Sequence, residues 1–514
     1  MRVSIVIPAY NGERWIRHAV ESALAQELTA KDGLPELYEV IVRDDGSTDG
    51  TLAALEGISD ARLRIVKAEN AGGIGASFRE AFALATSEFV TVLGQDDLID
   101  KNYLERVLAE FNGDVAMVAC HPRFVDGDYQ PYNNPADRRC QIPKPVNMTR
   151  EDFLTVFRIG NMYFGINTYR RDAVLEVGSF DEKAGWLLDL DIYIALVKKY
   201  KIRIIEEELC SLNLHEGATS NLKTEDVPMQ HKYQRYVFQK HFRPDPGKMK
   251  VAFATPFYMS QEHSDFGESM IHTCTMLTNA GIEWELIRIN GDSYVDRAKN
   301  TIAANFLESD CTDLIMIDSD EKWHPEAISR LLQHPEEIVV GAYPFKNNWG
   351  AFAGNPLIEV VDGEQRYAGW RGLPDGSCLL EAYNIAGGFT RIKRSALEKY
   401  ADAYPNDVYL DDFAWPMRKG RIYTMFFMCD VKDYQRYGED AYFSRRMREA
   451  GVRLWIDPNI TITHYGMHGW TGNFHEHILK SPEEIAKIQA ELERKAAAGE
   501  PLGDNVVRLK EAAA

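Results

Sequence analysis

An α/β architecture with a mostly parallel sheet, built twice along the chain, is what the sequence predicts, and three observations predict it. Short β-branched runs alternate with stretches of helical spacing, acidic residues recur just past those runs, and the whole pattern restarts near residue 250. The 514 residues exceed one ordinary core, so two domains are the simplest division.

Val3 to Ile7 is a β-branched run closed by Pro8, and Trp15 to Ala25 has helical spacing, so the chain opens as strand, loop and helix. Glu39 to Val42 forms a second strand that leads into Asp44-Asp45-Gly46-Ser47, where Ser47 or Thr48 can cap the next helix. Glu88 to Leu93 forms a third, ending in Gln95-Asp96-Asp97. Around residues 242–249 the chain reads Phe-Arg-Pro-Asp-Pro-Gly-Lys-Met, a breaker-rich link, after which Val251 to Pro256 repeats the strand-then-proline opening. Asp313 to Ile317 then runs into Asp318-Ser319-Asp320. From Ser481 the composition turns to Glu, Lys and Ala, with Ile485, Ile488 and Leu492 on one face. The expected division is a first domain over 1–243, a linker at 244–248, a second domain over 249–480 and a helical tail over 481–514.

Hydrophobic residues at 45% and charged residues at 26% describe an ordinary globular chain. A net charge of -20 without any Lys/Arg-rich run argues against a nucleic-acid partner. Anionic ligands must then be held locally, which carboxylates can do with a divalent cation between them and a phosphate. The seven cysteines are odd in number, scattered and free of any C-x-x-C pair, so they read as reduced core residues. His468, His475 and His477 lack a partner at zinc-ligand spacing. Apolar runs fall far short of the roughly 20 residues of a membrane helix, so the expectation is a cytoplasmic protein, at most peripheral at the inner face of the cytoplasmic membrane.

In an open parallel sheet ligands bind beyond the carboxyl ends of strands, where Asp44, Asp45, Asp96, Asp97, Asp318 and Asp320 all fall. Transfer of a sugar from a nucleoside diphosphate requires neutralisation of the departing diphosphate and removal of a proton from the acceptor hydroxyl, tasks suited to a carboxylate-held cation and a carboxylate base.

Four motifs in order then carry a resemblance: Val3 to Asn11, Asp44-Asp45-Gly46-Ser47-Thr48-Asp49, Gln95-Asp96-Asp97, and Gly178-Ser179-Phe180-Asp181-Glu182 followed by Asp189-Leu190-Asp191. Residues 3–220 resemble a family-2 glycosyltransferase of the GT-A fold. The resemblance implies that Pro8, Tyr10, Asn11, Asp44 and Asp45 hold the nucleotide, with Arg79 toward its phosphates. It implies Asp96, Asp97 and His215 at the metal, Asp189 as the base of an inverting reaction, and Asp191 as its supporting neighbour. Gly94, Leu188 and Ser77-Phe78-Arg79 depart from the family pattern.

Residues 250–470 resemble GT-A enzymes more loosely, through Asp318-Ser319-Asp320, Gly387-Gly388-Phe389, Gly438-Glu439-Asp440 and a late histidine, His464. That likeness implies Asp318, Asp320 and His464 at a second metal, Asp440 as base with Glu439 beside it, and Thr255, Arg297 and Asn300 toward a nucleotide. The expected cofactor is Mn2+ or Mg2+, one per domain, and the expected partners are UDP-sugar donors and a glycan or glycolipid acceptor. Trp349, Trp370, Trp415 and Trp470 are candidates for stacking on sugar faces. The leading expectation is a bifunctional glycosyltransferase of polysaccharide or glycoconjugate synthesis. Its alternatives are one active transferase fused to an inactive glycan-binding copy, and a non-catalytic sugar-nucleotide binder. A nucleotidyltransferase is disfavoured because Pro8-Ala9-Tyr10-Asn11 stands where a glycine-rich, basic loop would be needed.

Overall fold

Every residue of the first strand, β1 (Arg2–Ala9), is buried after Arg2, which is how a β-branched run behaves when both faces of its sheet are covered. In this computed structural model the described residues are 2–27, 36–134, 144, 146–159, 164–215, 226–257, 262–346, 352–362, 364–411, 421–432, 434–466 and 469–473. The 481–514 tail, Trp349, Trp415, His468, His475 and His477 lie outside them, as does the side chain of Trp470. The chain forms two compact units, residues 1–241 with 410–422, and 242–409 with 423–514.

The first unit carries an eight-stranded sheet of β1, β2 (Glu36–Asp44), β3 (Leu63–Lys67), β4 (Phe89–Val92), β5 (Leu98–Ile99), β6 (Val115–Asp126), β7 (Asn167–Arg170) and β8 (Lys201–Leu214). Their order in space is β3-β2-β1-β4-β7-β6-β8-β5. Strand β1 is parallel to β2 and β4, whereas β7 runs antiparallel to both β4 and β6. Val3, Ile5 and Ile7 pack on Ile16, Ala19 and Val20 of the helix Ile16–Leu24 and on Leu104 and Val107 of the helix Tyr103–Leu108.

In the second unit β9 (Lys250–Phe257), β10 (Glu283–Asn290), β11 (Asp313–Ile317), β12 (Glu321–Trp323) and β13 (Ile338–Gly341) come first along the chain. The main sheet starts β10-β9-β11, continues through the strand Phe389–Lys393 to β13, and then to the strands Leu454–Asp457 and Cys378–Asn384. Val251 and Phe253 face Phe266, Met270 and Leu331 on one side, while Ala252 and Ala254 face Ile302, Phe306 and Tyr400 on the other.

Both sheets are mixed yet mostly parallel, as expected: in the first, β7 and β5 run against the other six strands. In each, a late strand inserts in reverse next to the strand that carries the acidic loop: β7 beside β4, and Phe389–Lys393 beside β11. Cysteines 120, 210 and 311 are buried as expected, but Cys429 is exposed. Among the described residues no helix is long and apolar enough to cross a membrane.

Candidate active site

In the first unit the carboxyl ends of β2, β1, β4 and β8 form one rim. The Tyr10 backbone exchanges two hydrogen bonds with the Gln95 amide, at 2.9 and 3.0 Å, which ties the end of β1 to the acidic loop after β4. Asn11 takes a left-handed conformation at φ 49°, and its side-chain oxygen accepts the Thr48 N–H at 2.8 Å. Asn11 therefore fixes the loop after β2 with its amide oxygen. Asp45 is equally committed: its carboxylate pairs with buried Arg43 at 2.5 Å and accepts the Ala71 N–H at 2.9 Å. Asp44 differs, because its buried Oδ1 has no hydrogen-bond partner among the described residues. An orphaned acceptor at this place suits the donor groups of a nucleobase or ribose.

Asp96, Asp97 and His215 come together. His215 Nε2 lies 2.9 Å from Asp96 Oδ2, and its ring stacks on Trp15 with centroids 3.8 Å apart. Asp97 Oδ1 accepts the Asn213 N–H at 3.0 Å, and burial together with the Asp96 charge pushes its carboxyl well above the usual range. Two neighbouring carboxylates, one of them buried, beside an imidazole offer the donor types that suit a hard divalent cation. Gly94 explains its own departure from the family pattern: a Cβ there would strike the Asp97 carboxylate and stand 3.1 Å from Asp96 Oδ1.

Asp189 is exposed in the first turn of the helix Leu188–Val197. Burial, and then the Asp189 charge, raise the titration of the Tyr169 and Tyr193 hydroxyls. Asp191 is turned the other way. Its side chain is 1% exposed and binds Lys240 at 2.8 Å and His241 at 2.7 Å, so it anchors a helix instead of flanking Asp189. Arg79 pairs with Glu182 at 3.0 Å, and Pro8 is buried within β1.

The second unit gathers a denser cluster. The Asp318 N–H donates to the Gly388 carbonyl at 2.8 Å, which places the acidic loop after β11 against the Gly387-Gly388 turn. Asp440, in the first turn of the helix Glu439–Glu449, accepts the Gly387 N–H at 2.9 Å and the Lys299 ammonium at 2.7 Å. Lys299 is 2% exposed. Burial works against its charge, but Asp440, Asp318 and Glu439 together raise its titration above the ordinary lysine value. Glu439 stands 3.3 Å from the same ammonium.

Asp320 pairs with Lys346 and lies 3.6 Å from His464 Nε2. His464 Nδ1 sits 2.9 Å from the Pro344 carbonyl, which can only accept, so Nδ1 carries a proton and Nε2 is the nitrogen turned toward Asp320. An imidazole beside a carboxylate offers donor types that suit a cation, and a carbonyl held by the other ring nitrogen is the usual support of a metal-binding histidine. Burial pushes Asp318 and, more strongly, Glu321 upward, each with help from neighbouring carboxylates.

Three residues expected at a nucleotide are held by protein groups or buried. Arg297 grips Asp292 with two nitrogens, and buried Asn300 bridges the Phe427 backbone through both atoms of its amide, at 2.8 and 2.9 Å. Thr255 is 5% exposed within β9. Lys299, on the same helix as Arg297 and Asn300, is the residue that reaches the acids, and the sequence reading missed it. It also missed Glu321, Tyr343 and Lys346. Glu285, Asp310 and Cys311 also lie close together, but Lys250 pairs with both carboxylates and offsets part of their charge.

Residues 4–178 match the family described as Glycosyl transferase family 2. An uncharacterised glycosyltransferase of Nostoc sp. is 29% identical over 43% of this chain and 67% of its own. The chondroitin synthase of Escherichia coli is 27% identical over 45% of this chain, but this chain spans only 32% of that protein's length. The solved structure of S. aureus TarS 1-349 in complex with UDP-GlcNAc aligns over 46% of this chain and 66% of its own, at 20% identity and a TM-score of 0.37.

Proposed function

We propose, from the glycosyltransferase family 2 domain at residues 4–178, that this chain transfers sugars from nucleoside diphosphate donors, UDP-sugars first among them, to a glycan or glycolipid acceptor, and that it does so at two sites. In the first unit Asp44 receives the nucleoside, Asp96, Asp97 and His215 hold one divalent cation, and Asp189 accepts the proton of the acceptor hydroxyl in an inverting displacement. In the second, Asp318, Asp320 and His464 hold another, with Asp440 as the base. A bound Mn2+ or Mg2+ would supply positive charge to the departing diphosphate.

One observation carries the two-site reading. The strands β2-β1-β4-β7-β6-β8 and the strands β10-β9-β11, Phe389–Lys393, β13 and Leu454–Asp457 follow the same spatial order with the same relative directions. In both, the acid-bearing loop follows the strand parallel to the unit's first strand, and a histidine from a late strand meets that loop. A single transferase beside a non-catalytic copy is the second reading. It is favoured by the Lys299 ammonium and the Gly387 N–H, which already engage both oxygens of Asp440.

The test is nucleotide release from a panel of nucleotide sugars with Mn2+, for the parent, Asp97→Asn and Asp320→Asn. Two sites predict that each variant loses a different donor and that a chelator stops both. Release that survives chelation, or that neither variant alters, overturns the proposal.

A further inference from the structure

Glu321 is the most anomalous ionisable residue of the second unit. It is 0% exposed, and neither oxygen of its carboxylate has a hydrogen-bond partner among the described residues. An isolated buried carboxylate costs several kcal/mol unless something compensates it. Its neighbours in the sequence do not share the problem, since Lys322 points to Asp265 at 3.0 Å and Asp320 already has Lys346.

Two features aim Glu321 into the acidic cluster. Strand β12 runs antiparallel to the strand Thr461–Tyr465, and in that register Glu321 stands directly opposite His464. Opposed residues of an antiparallel pair project to the same face, so the carboxylate and the imidazole emerge together. The second feature is at Gly388. A Cβ built there would lie 2.7 Å from Glu321 Oε1, 2.7 Å from Asp318 Oδ2 and 2.7 Å from the Tyr343 hydroxyl. Three oxygens from three different elements therefore crowd around one point, and that point is open only because residue 388 has no side chain.

We infer that Glu321 is a further ligand of the second unit's cation, which would draw Asp318, Asp320, Glu321 and His464 into a donor set of three carboxylates and one imidazole. The inference rests on the two-site reading above and adds to it a residue outside the D-x-D pair. The donor set is hard, as Mn2+ or Mg2+ requires. The ion answers both anomalies at once, because it neutralises an otherwise uncompensated carboxylate and separates oxygens that repel one another.

The experiment is Mn2+ titration of the full chain by calorimetry and by loss of the free-ion paramagnetic signal. All variants carry Asp97→Asn, which silences the first unit. In this background Glu321→Gln weakens Mn2+ binding at least tenfold, and Glu321→Asp, which keeps the charge with a shorter reach, gives a smaller loss. Without metal, Glu321→Gln unfolds at no lower a temperature than the parent, because it replaces a buried acid that has no hydrogen-bond partner among the described residues, so a folding failure is not confused with lost affinity. If Asp320→Asn abolishes binding while Glu321→Gln binds as tightly as the parent, Glu321 is no ligand and the inference is overturned while the two-site reading stands. If neither Asp320→Asn nor Glu321→Gln alters the titration, the second metal site fails and the inference with it.

Discussion

A single methyl group at position 388 decides whether the second cluster can assemble. Alanine there must displace Asp318, Glu321 or Tyr343, and overpacking of this kind costs about 1–3 kcal/mol. Gly388→Ala is therefore expected to lower the urea midpoint and to abolish metal-dependent nucleotide release assigned to this unit. Gly438→Ala is the control, since nothing lies within 4 Å of a Cβ at that position. The two glycines of Gly387-Gly388 were legible in the sequence as a motif, but not their reason. The residues that crowd them, Lys299, Asp440, and Asp318 with Glu321, come from three separate stretches of chain, and their convergence is a property of the fold. For the same cause nothing in the sequence singled out Lys299. Asp44 and Asp45 show the limit from another side: an Asp-Asp pair at a strand end names two candidates, and only the buried Arg43 shows which of them is already engaged.

At the level of elements, the helices Leu188–Val197 and Val227–His241 divide one acidic motif between chemistry and stability. Asp191 is buried against Lys240 and His241, and Asp181 holds Tyr236 at 2.7 Å and Lys240 at 2.9 Å. Asp191→Ala removes one of the two carboxylates that meet Lys240 and the partner of the His241 ring, at a cost of about 1–3 kcal/mol in chemical denaturation. Asp189→Asn sits on the exposed side of the same turn, and its stability should stay within about 0.5 kcal/mol of the parent while transfer is lost. The spacing of Asp189 and Asp191 was readable; their opposite orientations follow from helical geometry, which turns residues two apart to different faces. The second helix also predicts a pH effect. Burial, and then Arg235, depress the His231 imidazole from 6.5 to about 3. The folded state thus keeps it neutral while the unfolded chain takes up a proton below pH 6.5. Stability is complete above that pH and falls by about 1.4 kcal/mol per unit on the way down toward pH 3. Urea unfolding at pH 7 and pH 5 should show His231→Leu losing about 2 kcal/mol less than the parent over that interval.

For the whole molecule, the restart near residue 250 was legible because strand-then-proline openings and acidic strand ends are local patterns. The shared strand order was not, since the reversed strands β7 and Phe389–Lys393 carry no local mark of their direction. That shared order has a consequence for turnover if both units feed one product. When the two sites add sugars alternately to a single growing acceptor, Asp189→Asn and Asp440→Asn must each stop growth after one addition, with a different sugar at the new end. Neither variant should extend a short acceptor in a mixture of both donors, and an equal mixture of the two proteins should restore extension, because the acceptor can leave one chain and enter another. Product length by mass spectrometry reads all three outcomes. Full extension by Asp440→Asn alone would instead leave one working transferase and assign the second unit to binding, in line with the engaged state of its carboxylate.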